Sequence, residues 1–471
     1  MKIKFGTDGW RAIIAKDFTV DNVMRVAEGT AEWLLKNNKS NNNKPSIVLG
    51  HDCRFAGELF CDAVAKVMCS KGIMVHLAKG FVSTPMISLG AVNLKTDLGI
   101  IITASHNPPE YNGFKLKGSF GGPLQVKYVM EIEELIPDTA STNLDINAIE
   151  NFEKEGLLKY VDLETMYVNH VKNHFDLDAI KNSGLKLAYD AMYGAGQNVM
   201  KRILPDITML HCDYNPSFMG QAPEPIHKNL TEFSELIRNS GNISCGLVTD
   251  GDADRLGFYD SQGNFVDSHH IILLLIHYLH KYKGMTGKVC TAFSTTPKVA
   301  KMCAHYGLEL EVVKIGFKYI AEIMINEDVL VGGEESGGIA MKGHIPERDG
   351  IWVGLTIWEF MAKSGKTLND MIAEVYAIVG KFSFERNDLH LKEEIKQRVL
   401  ANCKADKYHA FGKYKVVRTE DMDGYKYFFE NGDWLMIRAS GTEPVLRIYA
   451  ESNSREAAFD IINESKETLL N

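Results

Sequence analysis

The chain has 471 residues, too many for one compact core, since single domains usually run to about 100–200 residues. With 45% hydrophobic, 24% charged and 10% aromatic residues it reads as a globular protein, not a disordered or fibrous one. Its 52 Lys+Arg against 61 Asp+Glu leave a net charge of −9, which argues against bulk attraction to nucleic acid or an anionic membrane; an anionic ligand needs a local cluster of cations.

In chain order, the opening MKIKFGTDGWRAII breaks its apolar residues with glycine, aspartate and arginine, so it does not read as a signal peptide. Residues 21–35 carry Val23, Val26, Ala27, Ala31, Leu34 and Leu35 at about a 3.6-residue period, a helix; residues 59–67 and 271–280 read similarly. Residues 36–44, rich in lysine and asparagine, read as a solvated loop. Short apolar runs recur, each ending in a glycine-rich or charged loop. Residues 46–50 precede His51-Asp52-Cys53-Arg54, residues 98–103 precede Ala104–Pro108, and residues 185–190 precede a loop over 191–196. Residues 245–249 lead into Asp250–Arg255, 289–293 into Ser294-Thr295-Thr296, and 329–332 into a loop over 333–338. Runs of this kind suit buried parallel strands, and alternation with helices implies doubly wound α/β units that bind ligands beyond the strands' carboxyl ends.

Three such units are expected at 1–150, 151–255 and 256–375, with residues 138–155 as the first linker. Residues 376–471 read as an α+β domain, with strands near 411–417, 425–429, 434–438 and 447–451 and a closing helix over 454–469. The aliphatic stretch 271–276 is far short of the roughly 20 residues that span a bilayer, so no membrane partner is expected. The eight cysteines include no Cys-x-x-Cys pair and read as small buried hydrophobes, consistent with a cytoplasmic protein.

Four constellations could carry chemistry. In Thr103-Ala-Ser-His-Asn-Pro108, Ser105 at the end of a buried strand is placed as a nucleophile, or else caps a turn; His106 beside it makes no triad. In Asp250-Gly-Asp-Ala-Asp-Arg255, three carboxylates at alternate positions repel one another unless a cation gathers them. Hard oxygen donors suit Mg²⁺; a solvated acidic turn is the plainer alternative. Gly333-Glu-Glu-Ser-Gly-Gly338 offers carboxylates to sugar hydroxyls or is an exposed turn. Arg438-Ala-Ser-Gly-Thr-Glu-Pro444 with Arg447 reads as a phosphate cradle, or a plain hairpin connection.

The four in this order closely resemble the α-D-phosphohexomutase family, and the resemblance covers nearly the whole chain, from Gly6 to Arg447. That resemblance implies three mixed α/β domains around a cleft, a smaller C-terminal domain, and Mg²⁺ as cofactor. Ser105 matches the phosphoryl-carrying serine, and Asp250, Asp252 and Asp254 match the Mg²⁺ ligands, with a phosphoserine oxygen completing the set. Lys115, Arg11, Arg255 and His106 match or flank the reacting group. Glu334 and Ser336 match the sugar loop, and Arg438, Ser440, Gly441, Thr442 and Arg447 the site for the non-reacting phosphate. The general base stays open among Lys115, His106, His344 and Arg348, as does the oligomeric state.

Specificity rests on departures. Gly338 stands where relatives that take both mannose and glucose phosphates resemble glucosamine mutases in having histidine. Ile315-Gly-Phe-Lys318 and His344-Ile-Pro-Glu-Arg348 are similar to phosphoglucomutase segments, placing Lys318, His344 and Arg348 at the substrate. The expected reaction is interconversion of α-D-glucose 1-phosphate and glucose 6-phosphate through glucose 1,6-bisphosphate, which also serves as activator. Mannose phosphate, alone or together with glucose phosphate, is the alternative, and glucosamine phosphate a weaker one. A Mg²⁺-dependent phosphatase with Asp250 as nucleophile would ignore Ser105, and a catalytically silent sugar-phosphate binder would have little use for Ser105 and three aspartates together.

Overall fold

The computed structural model describes residues 2–37, 44–145, 148–439 and 445–470. The first sheet is built from β1 (Trp10–Ile13), β2 (Ser46–His51), β3 (Met74–Ala78), β4 (Leu98–Ile102), β5 (Tyr111–Gly118) and β6 (Leu158–Val161), in the order β1-β5-β4-β2-β3-β6. The second holds β7 (Leu187–Asp190), β8 (Thr208–Leu210), β9 (Cys245–Thr249), β10 (Leu256–Asp260) and β11 (Phe265–Val266), ordered β11-β10-β9-β7-β8. The third holds β12 (Lys288–Ala292), β13 (Leu310–Val313), β14 (Val329–Gly333) and β15 (Ile339–Met341), ordered β13-β12-β14-β15. The fourth is antiparallel throughout: β16 (Ser383–His390), β17 (Ala410–Phe411), β18 (Tyr414–Glu420), β19 (Tyr425–Phe429), β20 (Trp434–Ala439) and β21 (Val445–Ser452), ordered β16-β21-β20-β19-β18-β17.

The fold is therefore three α/β domains and a smaller α+β domain. In each α/β domain the apolar runs pair in parallel, as β2 does with β3 and β4, β7 with β8 and β9, and β12 with β13 and β14. One parallel strand of each then turns straight back into an antiparallel neighbour: β4 into β5, β9 into β10, β14 into β15. Those three equivalent turns carry the Ser105, Asp250 and Glu334 motifs. Pairing also corrects the expected divisions at 150 and 255, because β6 belongs to the first sheet and β10–β11 to the second. The metal-loop motif sits inside a hairpin, not at a domain's end. The stretch expected to be a linker contains helix Ile149–Lys154, and the N–H and hydroxyl groups of Ser141 and Thr142 donate to Glu28.

A continuous core joins the first three domains through residues such as Tyr167, Leu247 and Trp358. A Cβ at Gly354, in helix Gly350–Ser364, would lie 2.3 Å from Leu247 Cδ2, so this helix lies directly on β9. Truncating the buried Leu247 to alanine would cost roughly 3 kcal/mol and loosen the strand that carries the aspartates. The fourth domain has its own core, including Phe411, Leu435 and Ile448, under helices Glu393–Lys404 and Arg455–Leu470. It meets the third through Phe293, Phe428, Trp434, Met436 and Tyr449. At that contact the buried Lys426 donates to the carbonyls of Phe293 (3.2 Å) and Thr295 (3.0 Å), and burial brings its ammonium down to about 7. All eight cysteines are buried and free, and no helix among the described residues is long and apolar enough to cross a membrane.

Candidate active site

Ser105 adopts φ 53°, a left-handed conformation that serine rarely holds without support. The support is Arg54, which is buried and whose guanidinium donates to four carbonyls of the loop: Ser105 (2.7 Å), Asn107 (2.6 Å), Pro108 (2.9 Å) and Tyr111 (3.0 Å). Asp52 holds the base of the turn, accepting from the Arg54 N–H (2.9 Å) and the Thr103 hydroxyl (2.5 Å). The Ser105 hydroxyl, freed from the backbone, donates to Asp250 Oδ2 at 2.8 Å and lies 3.3 Å from His106 Nδ1. Burial first, then Arg255, Arg11 and Lys115, hold His106 well below its usual range and so neutral. Arg11, on β1, donates to Asn107 Oδ1 at 2.6 Å.

The three aspartates are buried and each offers an oxygen within 4.8 Å of the others. Asp250 Oδ1 accepts the Arg255 N–H at 3.0 Å. Lys115 Nζ donates to Asp252 Oδ2 (2.7 Å) and Asp254 Oδ2 (3.1 Å), and Thr84 Oγ1 donates to Asp252 Oδ2 (2.5 Å). The other oxygens, Asp252 Oδ1 and Asp254 Oδ1, are buried with no hydrogen-bond partner among the described residues. Such orphaned carboxylate oxygens are costly, and in a set of hard donors they fit a divalent cation such as Mg²⁺. Burial, then repulsion from Asp252 and Asp254, pushes Asp250 well above the carboxylate range, the strain that a cation would relieve.

Residues outside the motifs complete this charge network. Asp8 accepts from Lys115 (2.9 Å) and from Arg348, whose Nη2 also pairs with Asp254 Oδ2 at 2.6 Å. Burial works against its ionisation, but Lys115, Lys117 and Arg348 together hold Asp8 well below the usual range. Lys117 pairs with Glu347 at 2.7 Å. Asp8, Asp52, Arg54, Lys117 and Glu347 escaped the sequence reading. Asp52 and Arg54 sit just past the end of an apolar strand, and that position was their one signal.

The sugar-loop motif lies directly against the metal-loop motif: Arg255 and Gly338 form a β-bridge, and the Leu256 N–H donates to the Gly337 carbonyl at 3.1 Å. Gly337 has φ +89°, and a Cβ there would lie 2.6 Å from the Leu256 carbonyl oxygen, so glycine is required. A Cβ on Gly338 would fall 2.5 Å from Arg348 Cδ; the arginine stem fills the space a larger residue would take. Glu334 is buried and accepts the Gly316 N–H at 2.9 Å; Ser336 is half-buried. Arg255 Nε finds no partner among the described residues. Lys318, near the start of helix Phe317–Asn326, lines a cavity of about 160 Å³ with Thr7, Asp8 and Gly9.

His344 is not brought into this group. Its Nε2 bonds Asp349 Oδ2 at 2.9 Å, its ring stacks on Trp352 at 3.9 Å, and its Nδ1 faces His170 at 3.3 Å. Asp349 caps helix Gly350–Ser364 and also accepts from Tyr167, so His344 is held in packing beside Arg348. Both its ring nitrogens have protein partners in this arrangement.

In the fourth domain, Asp388, Arg447 and Arg438 are register partners across β16, β21 and β20 and so share one face of the sheet. Arg438 Nε donates to Asp423 Oδ1 at 3.2 Å, and Asp423 Oδ2 accepts the Ile315 N–H at 2.9 Å. One carboxylate thus joins the arginine to the segment whose next N–H, that of Gly316, reaches Glu334. Ser440, Gly441 and Thr442 lie outside the described residues.

Family models for phosphoglucomutase/phosphomannomutase match the chain in four consecutive pieces: α/β/α domain I at residues 2–143, domain II at 165–263, domain III at 267–379 and the C-terminal domain at 394–467. The chain belongs to the phosphoglucomutase/phosphomannomutase family. It is similar to a phosphoglucomutase/phosphomannomutase of Thermococcus kodakarensis, 30% identical over 97% of this chain and 96% of that one. A phosphoglucosamine/phosphogalactosamine mutase of Sulfurisphaera tokodaii is 28% identical over 98% of each. Among solved structures, a Thermus thermophilus protein described as a phosphomannomutase superposes with a TM-score of 0.87 at 31% identity, each chain covered in full (100%). Family membership makes this chain a phosphohexomutase, an isomerase of sugar phosphates.

Proposed function

We propose that the chain interconverts α-D-glucose 1-phosphate and glucose 6-phosphate, with Ser105 carrying the phosphoryl group and glucose 1,6-bisphosphate as intermediate and activator. The observation that carries this reading is the Ser105 hydroxyl, strained into a left-handed turn and hydrogen-bonded to Asp250 at 2.8 Å beside the orphaned oxygens of Asp252 and Asp254. Phosphoryl transfer needs positioning and charge neutralisation above all. The free hydroxyl of a sugar monophosphate attacks the phosphorus on Ser105; an O–P bond to the sugar forms as the bond to Ser105 Oγ breaks, and the proton of the attacking hydroxyl ends on Ser105 Oγ. Mg²⁺ held by Asp250, Asp252, Asp254 and a phosphoserine oxygen would supply positive charge against the transferring group. Arg255, Arg11 and Lys115 add cations from the protein. The bisphosphate turns over, and its other phosphate returns to Ser105. Arg438 and Arg447 hold whichever phosphate is not reacting, and Glu334 and Ser336 hold the sugar.

Glucose is favoured over its rivals by Gly338 and Arg348. The Arg348 stem fills the space beside Gly338, leaving no room there for the histidine that stands at this position in relatives handling mannose and glucosamine phosphates. Mannose phosphate differs only at one hydroxyl, and rejecting it requires a dedicated contact. Ser105→Ala is expected to abolish turnover while sugar-phosphate binding persists, and to remove a species about 80 Da heavier from the intact mass. Near-normal turnover in that variant defeats the assignment. Side by side, glucose 1-phosphate should show a higher kcat/KM than mannose or glucosamine 1-phosphate.

A further inference from the structure

The second and fourth domains meet through an ion pair outside every motif: Arg386 Nη1, on β16, lies 3.6 Å from Glu224 Oε1. Both ends are stiff. Glu224 stands between Pro223 and Pro225, and its carbonyl accepts from the Ile226 N–H (2.8 Å) and Asn229 Nδ2 (3.0 Å). Pro223 Cγ lies 3.0 Å from where a Cβ on Gly251 would stand, so this segment lies against the metal loop itself. Arg386 is gripped by Asp388, Nε to Oδ1 at 2.8 Å and Nη2 to Oδ2 at 2.5 Å. Asp388 in turn shares the sheet row of Arg447 and Arg438. The pair thus connects the wall of the metal loop to the sheet that carries the phosphate arginines.

We propose that Glu224 and Arg386 form a gate that retains the bisphosphate intermediate while it turns over. The inference rests on the mutase reading above. Between the two transfers the bisphosphate is bonded covalently to nothing, and to turn it must release both the clamp and the metal loop. Only the walls then keep it in. An ion pair 3.6 Å long, with side chains 24% and 17% exposed, is weak enough to part and to reform behind the ligand. Glu224 also sets a negative charge against an escaping polyanion.

The test is a single turnover of enzyme carrying radiolabelled phosphate on Ser105, mixed with glucose 1-phosphate, in which labelled bisphosphate freed into solution is separated from labelled glucose 6-phosphate. E224Q should raise the escaping fraction about two- to fivefold with the first transfer unslowed, and E224K should raise it further. Rising ionic strength should increase escape from the native enzyme until it equals that of E224Q, because salt screens the pair. A merely structural role would not produce that convergence. Equal escape from native and E224Q enzymes, or a gap that salt leaves unchanged, overturns the gate alone. Failure of the native enzyme to form any labelled bisphosphate overturns the mutase reading, and the gate with it.

Discussion

Around Ser105 the side chains of Asp52, Arg54, Lys115 and the three aspartates are buried, whereas the Arg438 and Asp423 side chains of the fourth domain remain 19% and 26% exposed. The reacting end uses redundancy: Arg54 alone makes four hydrogen bonds to one loop, and Lys115 touches Asp8, Asp252 and Asp254. The clamp end hangs Arg438 on one carboxylate that also reaches another domain. The difference matches what each end must do. Chemistry at phosphorus tolerates little misplacement, while in the proposed reaction a clamp has to accept phosphate at either end of the sugar.

Three perturbations would break or sharpen this contrast. The largest effect is expected from Arg54→Lys, which keeps the charge but loses the fork that spans four carbonyls. Turnover should fall about a hundredfold with KM nearly unchanged, since a small displacement of the reacting group is enough. Steady-state kinetics, with the phosphoserine content measured, would show it; a rise in KM instead would mean that the loop is not the rigid part. At the clamp, Asp423→Asn should do the opposite, raising KM for sugar phosphate about tenfold while kcat stays within about twofold, as expected for one charge-assisted hydrogen bond. A fall in kcat with unchanged KM would make the two ends equally rigid.

The smallest effect concerns pH. Burial, with Glu335 adding to it, lifts the Glu334 carboxyl to about 7 against the pull of Arg348. Above that pH it is a carboxylate that accepts from sugar hydroxyls; below it, protonation removes an acceptor. KM should therefore rise severalfold between pH 8 and pH 6, beyond the change due to the substrate's own phosphate, which titrates near pH 6. E334Q should have a raised KM at pH 8 and lack this step. Because the folded value exceeds the ordinary 4.5, Glu334 favours the folded state most below that pH, and its contribution is lost as pH climbs through about 7. Denaturation of native protein and E334Q at pH 5 and 8 would reveal the difference in slope.

Much of the architecture was readable from apolar runs. β2, β4, β7, β9, β12 and β14 all lie where short apolar runs end in polar or glycine-rich loops. The strand β5 was not readable, because Lys115 and Lys117 interrupt its pattern; both are buried, and only pairing with distant carboxylates makes that tolerable. The site shows the same division. Ser105, the three aspartates and Glu334 announced themselves by local spacing, while Asp8 and Glu347, single acids in unremarkable surroundings, did not.

The sequence alone determined which strand-to-strand turns hold the serine, the clustered aspartates and the glutamate loop, since each motif is written in a few adjacent residues. Only the tertiary structure decided which charges answer one another, turned His344 into packing and set Glu224 against Arg386. Those outcomes depend on how domains pack, and the sign of a buried charge's energy is fixed by whatever residue folding happens to bring beside it.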